Sequence, residues 1–133
     1  MERTYVMLKP DALKRKLAGK IITRIEEKGY IIADAKMMQL DEAILREHYA
    51  HLADKPFFPS IVEYMVSGPV LAMIVEGENA VLGMRKIIGA TKFEDAEAGT
   101  IRGDYAFNTQ ENLIHASDSI ENAEIEIKRF FHK

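Results

Sequence analysis

Residues 100–119 read TIRGDYAFNTQENLIHASDS, and this stretch settles how the chain closes. Leu113-Ile114 form a short apolar run that enters His115, and Asp118-Ser119 behind it are helix-start residues. The spacing predicts a final strand, Leu113 to Ala116, followed by a final helix. An imidazole at such a strand end can be open on one side and fixed on the other. Nucleophilic catalysis by histidine needs that arrangement, because one ring nitrogen attacks while the other is held in the right tautomer. Arg102 and Gly103 stand upstream, where an anionic substrate could be held. Ala90 to Glu111 is a long and mostly irregular segment; its arginine, glycine, threonine and aromatics suit a binding loop.

Working outward, Thr4 to Lys9 is a β-like run that Pro10 ends. Ile21, Ile22 and Ile25 share one face of a helix between Ala18 and Lys28, with Gly29 as its stop. Tyr30 to Leu40 reads as a long strand, and Asp41 caps a helix from Glu42 to Leu52. After the stiff aromatic turn Pro56-Phe57-Phe58-Pro59, a helix carries Ile61, Val62, Met65 and Val66 inward. Ser67-Gly68-Pro69 breaks it ahead of the apolar strand Val70 to Val75. Asn79 is expected to cap a helix presenting Val81, Leu82, Ile87 and Ile88. Asp118 and Glu121 have capping-box spacing for the last helix, which should bury Ile120, Ala123, Ile127, Phe130 and Phe131. Two βαβ-like halves result. They point to an α+β, ferredoxin-like split βαβ fold: a four-stranded antiparallel sheet with helices on one face, extra helices, and a long loop before the last strand. Pattern does not supply the strand order.

The chain has 133 residues, enough for one domain with a real core. It contains no cysteine, which excludes disulfides, thiolate metal sites and a cysteine nucleophile. No apolar run reaches membrane-span length, and MERTYVMLKP lacks a signal-peptide core, so cytoplasm is the expected location. Eighteen Lys plus Arg against 21 Asp plus Glu give a net charge of −3. That balance counts against wrapping a nucleic acid backbone, but not against a small polyanion in a locally basic pocket.

No G-x-x-x-x-G-K-[ST] loop, G-x-G-x-x-G or protein-kinase set of motifs occurs. If phosphoryl groups are moved here, they are held without those cradles, and their charge falls to side chains, backbone amides and a metal carried by the nucleotide. Lys9, Arg85 and Arg102 are the candidate cations, the arginines better suited because each can fork two hydrogen bonds to phosphate. Glu124 and Glu126 both flank the apolar stripe of the last helix, and helical periodicity does not choose which would face His115. Arg102-Gly103-Asp104-Tyr105-Ala106-Phe107 faintly resembles the aromatic strand of RNA-recognition motifs. Asp104 intrudes where that strand needs an aromatic, and the acidic balance opposes it.

Asn112-Leu-Ile-His115-Ala-Ser117-Asp118-Ser119 closely resembles the active-site signature of the nucleoside diphosphate kinases. The resemblance runs from Glu2 to Phe131, through Lys9-Pro10-Asp11, His48-Tyr49, Pro56-Phe57-Phe58-Pro59, Ser67-Gly68-Pro69-Val70, Glu76-Gly77-Glu78-Asn79-Ala80, Gly89-Ala-Thr91 and Gly99-Thr-Ile-Arg102-Gly-Asp104. It implies that His115 is phosphorylated on Nδ1, that Glu126 orients the ring and that Ser117 supports Glu126. Lys9, Tyr49, Arg85, Thr91 and Arg102 match the residues lining the phosphates. Asn112 and Lys9 match the ribose contacts, and Phe57 the aromatic stacked on the base. The resemblance further implies ping-pong transfer between nucleoside tri- and diphosphates with broad base tolerance. Mg²⁺ would arrive on the nucleotide, with no dedicated protein cage, and a homo-oligomer, hexamer or tetramer, would form. Ala116 replaces a common glycine, and Phe93 and Ala98 stand where the family often has prolines. The chain stops soon after Phe131, short of the tail that can matter to assembly in some members.

Overall fold

Strand β1 (Glu2–Leu8) threads the middle of the sheet, and every residue from Thr4 to Leu8 is buried. A strand covered on both faces has no polar side, which is why this stretch reads as a near-continuous apolar run. The computed structural model describes all 133 residues. After β1 come the short helix α1 (Pro10–Lys14), α2 (Ala18–Glu27), strand β2 (Ile31–Met38), α3 (Glu42–His48) and α4 (Phe58–Met65). Strand β3 (Val70–Gly77), α5 (Ala80–Ile88), α6 (Ile101–Tyr105), strand β4 (Ile114–Ala116) and α7 (Ile120–Phe131) complete the chain. The sheet order is β2-β3-β1-β4, and all three pairings are antiparallel. This is the ferredoxin-like α+β arrangement.

Period-two alternation divides the core. Val6 and Leu8 of β1, with Met73 and Val75 of β3, face α2 and α5 through Ile21, Ile25, Met84 and Ile88. Tyr5 and Met7, with Ala72 and Ile74, face the other way onto Leu45, Met65, Ile127 and Phe130. Helices thus cover both faces. The pair α2 and α5 occupies one, while α3, α4 and α7 fill the second; the expectation of helices on one face is corrected, because β1 is apolar on both sides and both must be covered.

Several local expectations change. Asn79 sits at the N-cap of α5 with φ +50° but makes no side-chain cap. Glu2 does that work from β1, its Oε1 accepting from Val81 N at 3.2 Å. Ser119, not Asp118, caps α7 by accepting from Asn122 N at 3.0 Å. Ile120 and Leu82 are exposed, because the helix faces that bury their neighbours turn these two outward. The segment 90–111 is less irregular than expected, holding a 3₁₀ turn at Phe93–Asp95 and the helix α6. Within α6, Gly103 serves close packing: a Cβ there would lie 1.9 Å from the backbone oxygen of Glu97.

Candidate active site

Alternation along β4 decides where the histidine goes. Ile114 and Ala116 turn into the α2/α5 core, so His115 between them turns to the α7 face. It pairs with Met7 on the central strand, at the sheet edge, and stays partly accessible. Its Nε2 lies 2.9 Å from Oε1 of Glu126 on α7. The same oxygen accepts the Ser117 hydroxyl at 2.6 Å, and Ser117 is itself fully buried and tied to the Tyr5 backbone. An ionised carboxylate only accepts, so Nε2 carries the ring proton and Nδ1 keeps its lone pair. Glu124, two residues earlier, turns away onto Arg3, with its Oε2 3.1 Å from Nη2.

The approach to His115 is strained. Leu113 has φ +75°, and Ile114 N donates to Asn112 O at 2.9 Å across it, a γ-turn of the rare positive-φ kind. A buried β-entry leucine in that state costs about 1–3 kcal/mol and needs its surroundings to hold it. They do so through two cations. Lys9 N donates to Leu113 O at 2.8 Å, and Lys9 Nζ donates to Asn112 Oδ1 at 2.8 Å. Arg102 donates to the carbonyls of Asn112, Gly89 and Ile114, the last at 2.6 Å. Burial, then repulsion from Arg102, lowers Lys9 to about 7. Burial, then Arg85, lowers Arg102 to about 10. Arg102 spends two of its five donors on the turn and a third on Gly89 O, leaving two, and its side chain lines neither of the cavities that open here.

Two cavities open here. One, of about 470 Å³, is lined by His115, Arg85, Tyr49, His51, Asp118 and Glu126 among others. A second, of about 390 Å³, is lined by Lys9, Tyr49, Phe57, Ile61, Tyr64 and Met65 among others. Tyr49 belongs to both, and burial, followed by Glu126, raises its phenol to about 12. Phe57 is half exposed. Asn112 is buried between Lys9 and the γ-turn. Thr91 lies exposed on the loop after α5 and lines neither cavity.

The sequence reading gave no part to His48, Arg129 or Tyr5. His48 ends α3, buried, with its ring 4.8 Å from that of His115 and nearly perpendicular to it. Arg129 Nη1 donates to His48 Nδ1 at 2.9 Å, while Arg129 Nε reaches Glu47 at 2.8 Å. Burial, then His115, lowers His48 to about 2. Tyr5 stacks on Phe130 at 4.6 Å beneath both imidazoles. A buried histidine in the last turn of a helix was the one available signal, and periodicity treats it as core.

An oriented imidazole on a split βαβ sheet, among lysine and arginine and without a glycine-rich phosphate loop, defines a class: enzymes that handle anionic groups through histidine. A family model for nucleoside diphosphate kinase matches residues 2–133. The nucleoside diphosphate kinase of Acetivibrio thermocellus is 53% identical over 98% of this chain and 96% of its own. That of Thermus thermophilus is 50% identical over 98% of this chain and 96% of its own. The apo crystal structure of the Encephalitozoon cuniculi enzyme superposes with a TM-score of 0.97 at 50% identity, covering 100% of this chain and 90% of that one. A Halobacterium salinarum enzyme solved in complex with CDP gives 0.95 at 48% identity, covering 99% and 88%. The chain belongs to the nucleoside diphosphate kinase family, phosphotransferases that move a terminal phosphoryl group from a nucleoside triphosphate to a nucleoside diphosphate by a ping-pong route.

Proposed function

We propose that His115 is the phosphoryl carrier of this kinase, with Glu126 and Ser117 as its orienting pair, and that residues 1–133 act as one domain. The observation that carries this is the Ser117–Glu126–His115 relay, which leaves Nδ1 bare beside a cation-lined cavity. Nδ1 attacks the terminal phosphorus, the bond to the bridging oxygen breaks, and the diphosphate leaves with that electron pair. A second diphosphate oxygen, already anionic, reverses the step, so no general base is needed. Positioning and charge neutralisation supply the rate. The cations that meet the phosphates in this mechanism are Arg85 on the first cavity's wall, Lys9 on the second's, and the buried Arg102, which lines neither and has two donors left; Tyr49 lies on both walls. Thr91, the remaining phosphate contact of this reading, lies exposed on the loop after α5, outside both cavities.

The Halobacterium relative holds CDP, and the second cavity suits the base and ribose of such a ligand here, with Phe57 stacking and Lys9 at the sugar; Asn112, the other ribose contact, lines neither cavity and accepts from Lys9 Nζ. Stacking reads no base edge, so broad base tolerance follows. Mg²⁺ fits as an ion carried by phosphate oxygens. The one three-ligand cluster at the site offers two imidazoles and a carboxylate, while Mg²⁺ prefers oxygens and keeps its waters. Asp118, on the cavity wall, is the carboxylate placed to meet those waters. Bound there, the ion would neutralise charge on the phosphates. A homo-oligomer, hexamer or tetramer, is the expected assembly. No helix is long and apolar enough to cross a membrane, and the cytoplasm is the expected compartment. The test is incubation with γ-labelled ATP, expecting an acid-labile label on the protein that a different diphosphate removes as its triphosphate. Full labelling of His115→Gln would overturn the assignment of the carrier.

A further inference from the structure

Three donor groups from three separate elements converge beside the larger cavity: His48 at the end of α3, His115 on β4 and Glu126 on α7. One ring nitrogen of each histidine and a carboxylate oxygen all lie within 4.8 Å of one another. We propose that this cluster binds a divalent transition-metal ion of the zinc class, and that occupancy arrests phosphoryl transfer.

The donor set argues for the ion's class. Two imidazoles and one carboxylate are the ligands of open, catalytic-type zinc sites, whereas Mg²⁺ calls for an oxygen shell. The cavity supplies the remaining position for a water. Bonds of about 2.0–2.1 Å set tetrahedral donors ~3.3 Å apart. His115 and Glu126 already stand 2.9 Å apart, so the His48 ring makes the main approach.

His48 is also the second observation. Its Nε2 is buried and unpartnered, and its Nδ1 faces a guanidinium. Arg129 can only donate, so that Nδ1 atom bears a lone pair, presented to a positive charge. With Nδ1 taken as the ligand atom, the arginine stands in for a cation and would have to yield. It can, because its Nε keeps Glu47 at 2.8 Å.

Arrest follows from the tautomer. In the resting site Nε2 of His115 carries the proton and Nδ1 is bare. An ion on Nε2 displaces that proton, which is taken up at Nδ1, so no proton is gained or lost by the ring. The nucleophilic lone pair is then blocked, and Glu126 is drawn into the ion's shell. Binding rests on geometry alone; arrest rests on the reading of His115 as the carrier.

The protein freed of nucleotide and Mg²⁺ is titrated with Co²⁺, whose tetrahedral complexes absorb in the visible, and in parallel with zinc chloride by calorimetry. One ion per chain is expected. His48→Asn should weaken it at least about tenfold, and Arg129→Met should tighten it by removing the competitor. Absence of the visible band, or unchanged affinity in His48→Asn with its native circular dichroism, overturns the site. Weaker binding in Arg129→Met overturns the displacement. Zinc should then slow labelling by γ-labelled ATP in the parent more than in His48→Asn, each relative to its own metal-free rate. Tight binding without slowed labelling overturns arrest. Normal labelling of His115→Gln would instead overturn the carrier reading, leaving the titrations to judge the site.

Discussion

The two cavities that share Tyr49 are built on opposite plans. Around His115, each side chain is placed by a strand or helix and pinned by a second contact: Glu126 by Ser117, Arg102 by three carbonyls, His48 by Arg129. Around Phe57, the wall is largely apolar, and the ring projects half exposed from a turn. The difference follows from what each must do. Transfer at phosphorus depends on sub-ångström placement and fixed charge, and rigid elements give both. Holding any base requires only a flat surface, which a turn can offer without choosing among edges.

Breaking the first cavity should therefore cost far more than breaking the second. His115→Gln should take no label from γ-labelled ATP, the largest effect. Glu126→Ala, with the ring free to turn, should slow single-turnover phosphorylation about a hundredfold. If Glu124→Ala slows it more, the orienting role of Glu126 is wrong. On the other side, Phe57→Ala should raise KM by the equivalent of ~1–3 kcal/mol, similarly for purine and pyrimidine diphosphates, with kcat little changed. A loss confined to one base would mean that this cavity reads edges after all.

Lys9, on the wall of the second cavity and bonded to the turn that leads into His115, sharpens the comparison through pH. Burial leaves it near 7, below the ordinary lysine value, so above pH 7 it is mostly neutral in the free enzyme. Phosphate anions favour the charged form and raise that value again. Diphosphate binding near pH 8 should then take up a proton, seen as a binding enthalpy that varies with the buffer's ionisation heat. The effect should fade below pH 6 and vanish in Lys9→Met; a buffer-independent enthalpy at pH 8 would refute it. Least of all, Glu124→Ala removes only the partly exposed pair with Arg3, and should lower stability by less than ~1 kcal/mol in thermal melts.

The alternating and helical patterns were enough to place all four strands and the long helices, because burial imposes its period directly on the sequence. Pattern marked His115 only as an imidazole between an apolar run and a helix start; its part as carrier came from the resemblance of residues 112–119 to the kinase signature. Local competition misled elsewhere. Asn79 and Asp118 look like caps, yet Glu2 from a distant strand and the neighbouring Ser119 fill those roles. Whether Glu124 or Glu126 meets the histidine depends on the roll of α7 over the sheet, which two residues ~200° apart, one on each flank of the apolar stripe, do not encode.

By itself, the sequence determined which residues are apolar at which period, and so the α+β class, the histidine between strand and helix, and three candidate cations near element ends. Tertiary structure alone decided the strand order, the face to which His115 turns, the γ-turn at Leu113 and the meeting of His48 with Arg129. Those features join residues far apart in the chain, and their energies exist only once packing brings the partners within hydrogen-bond distance.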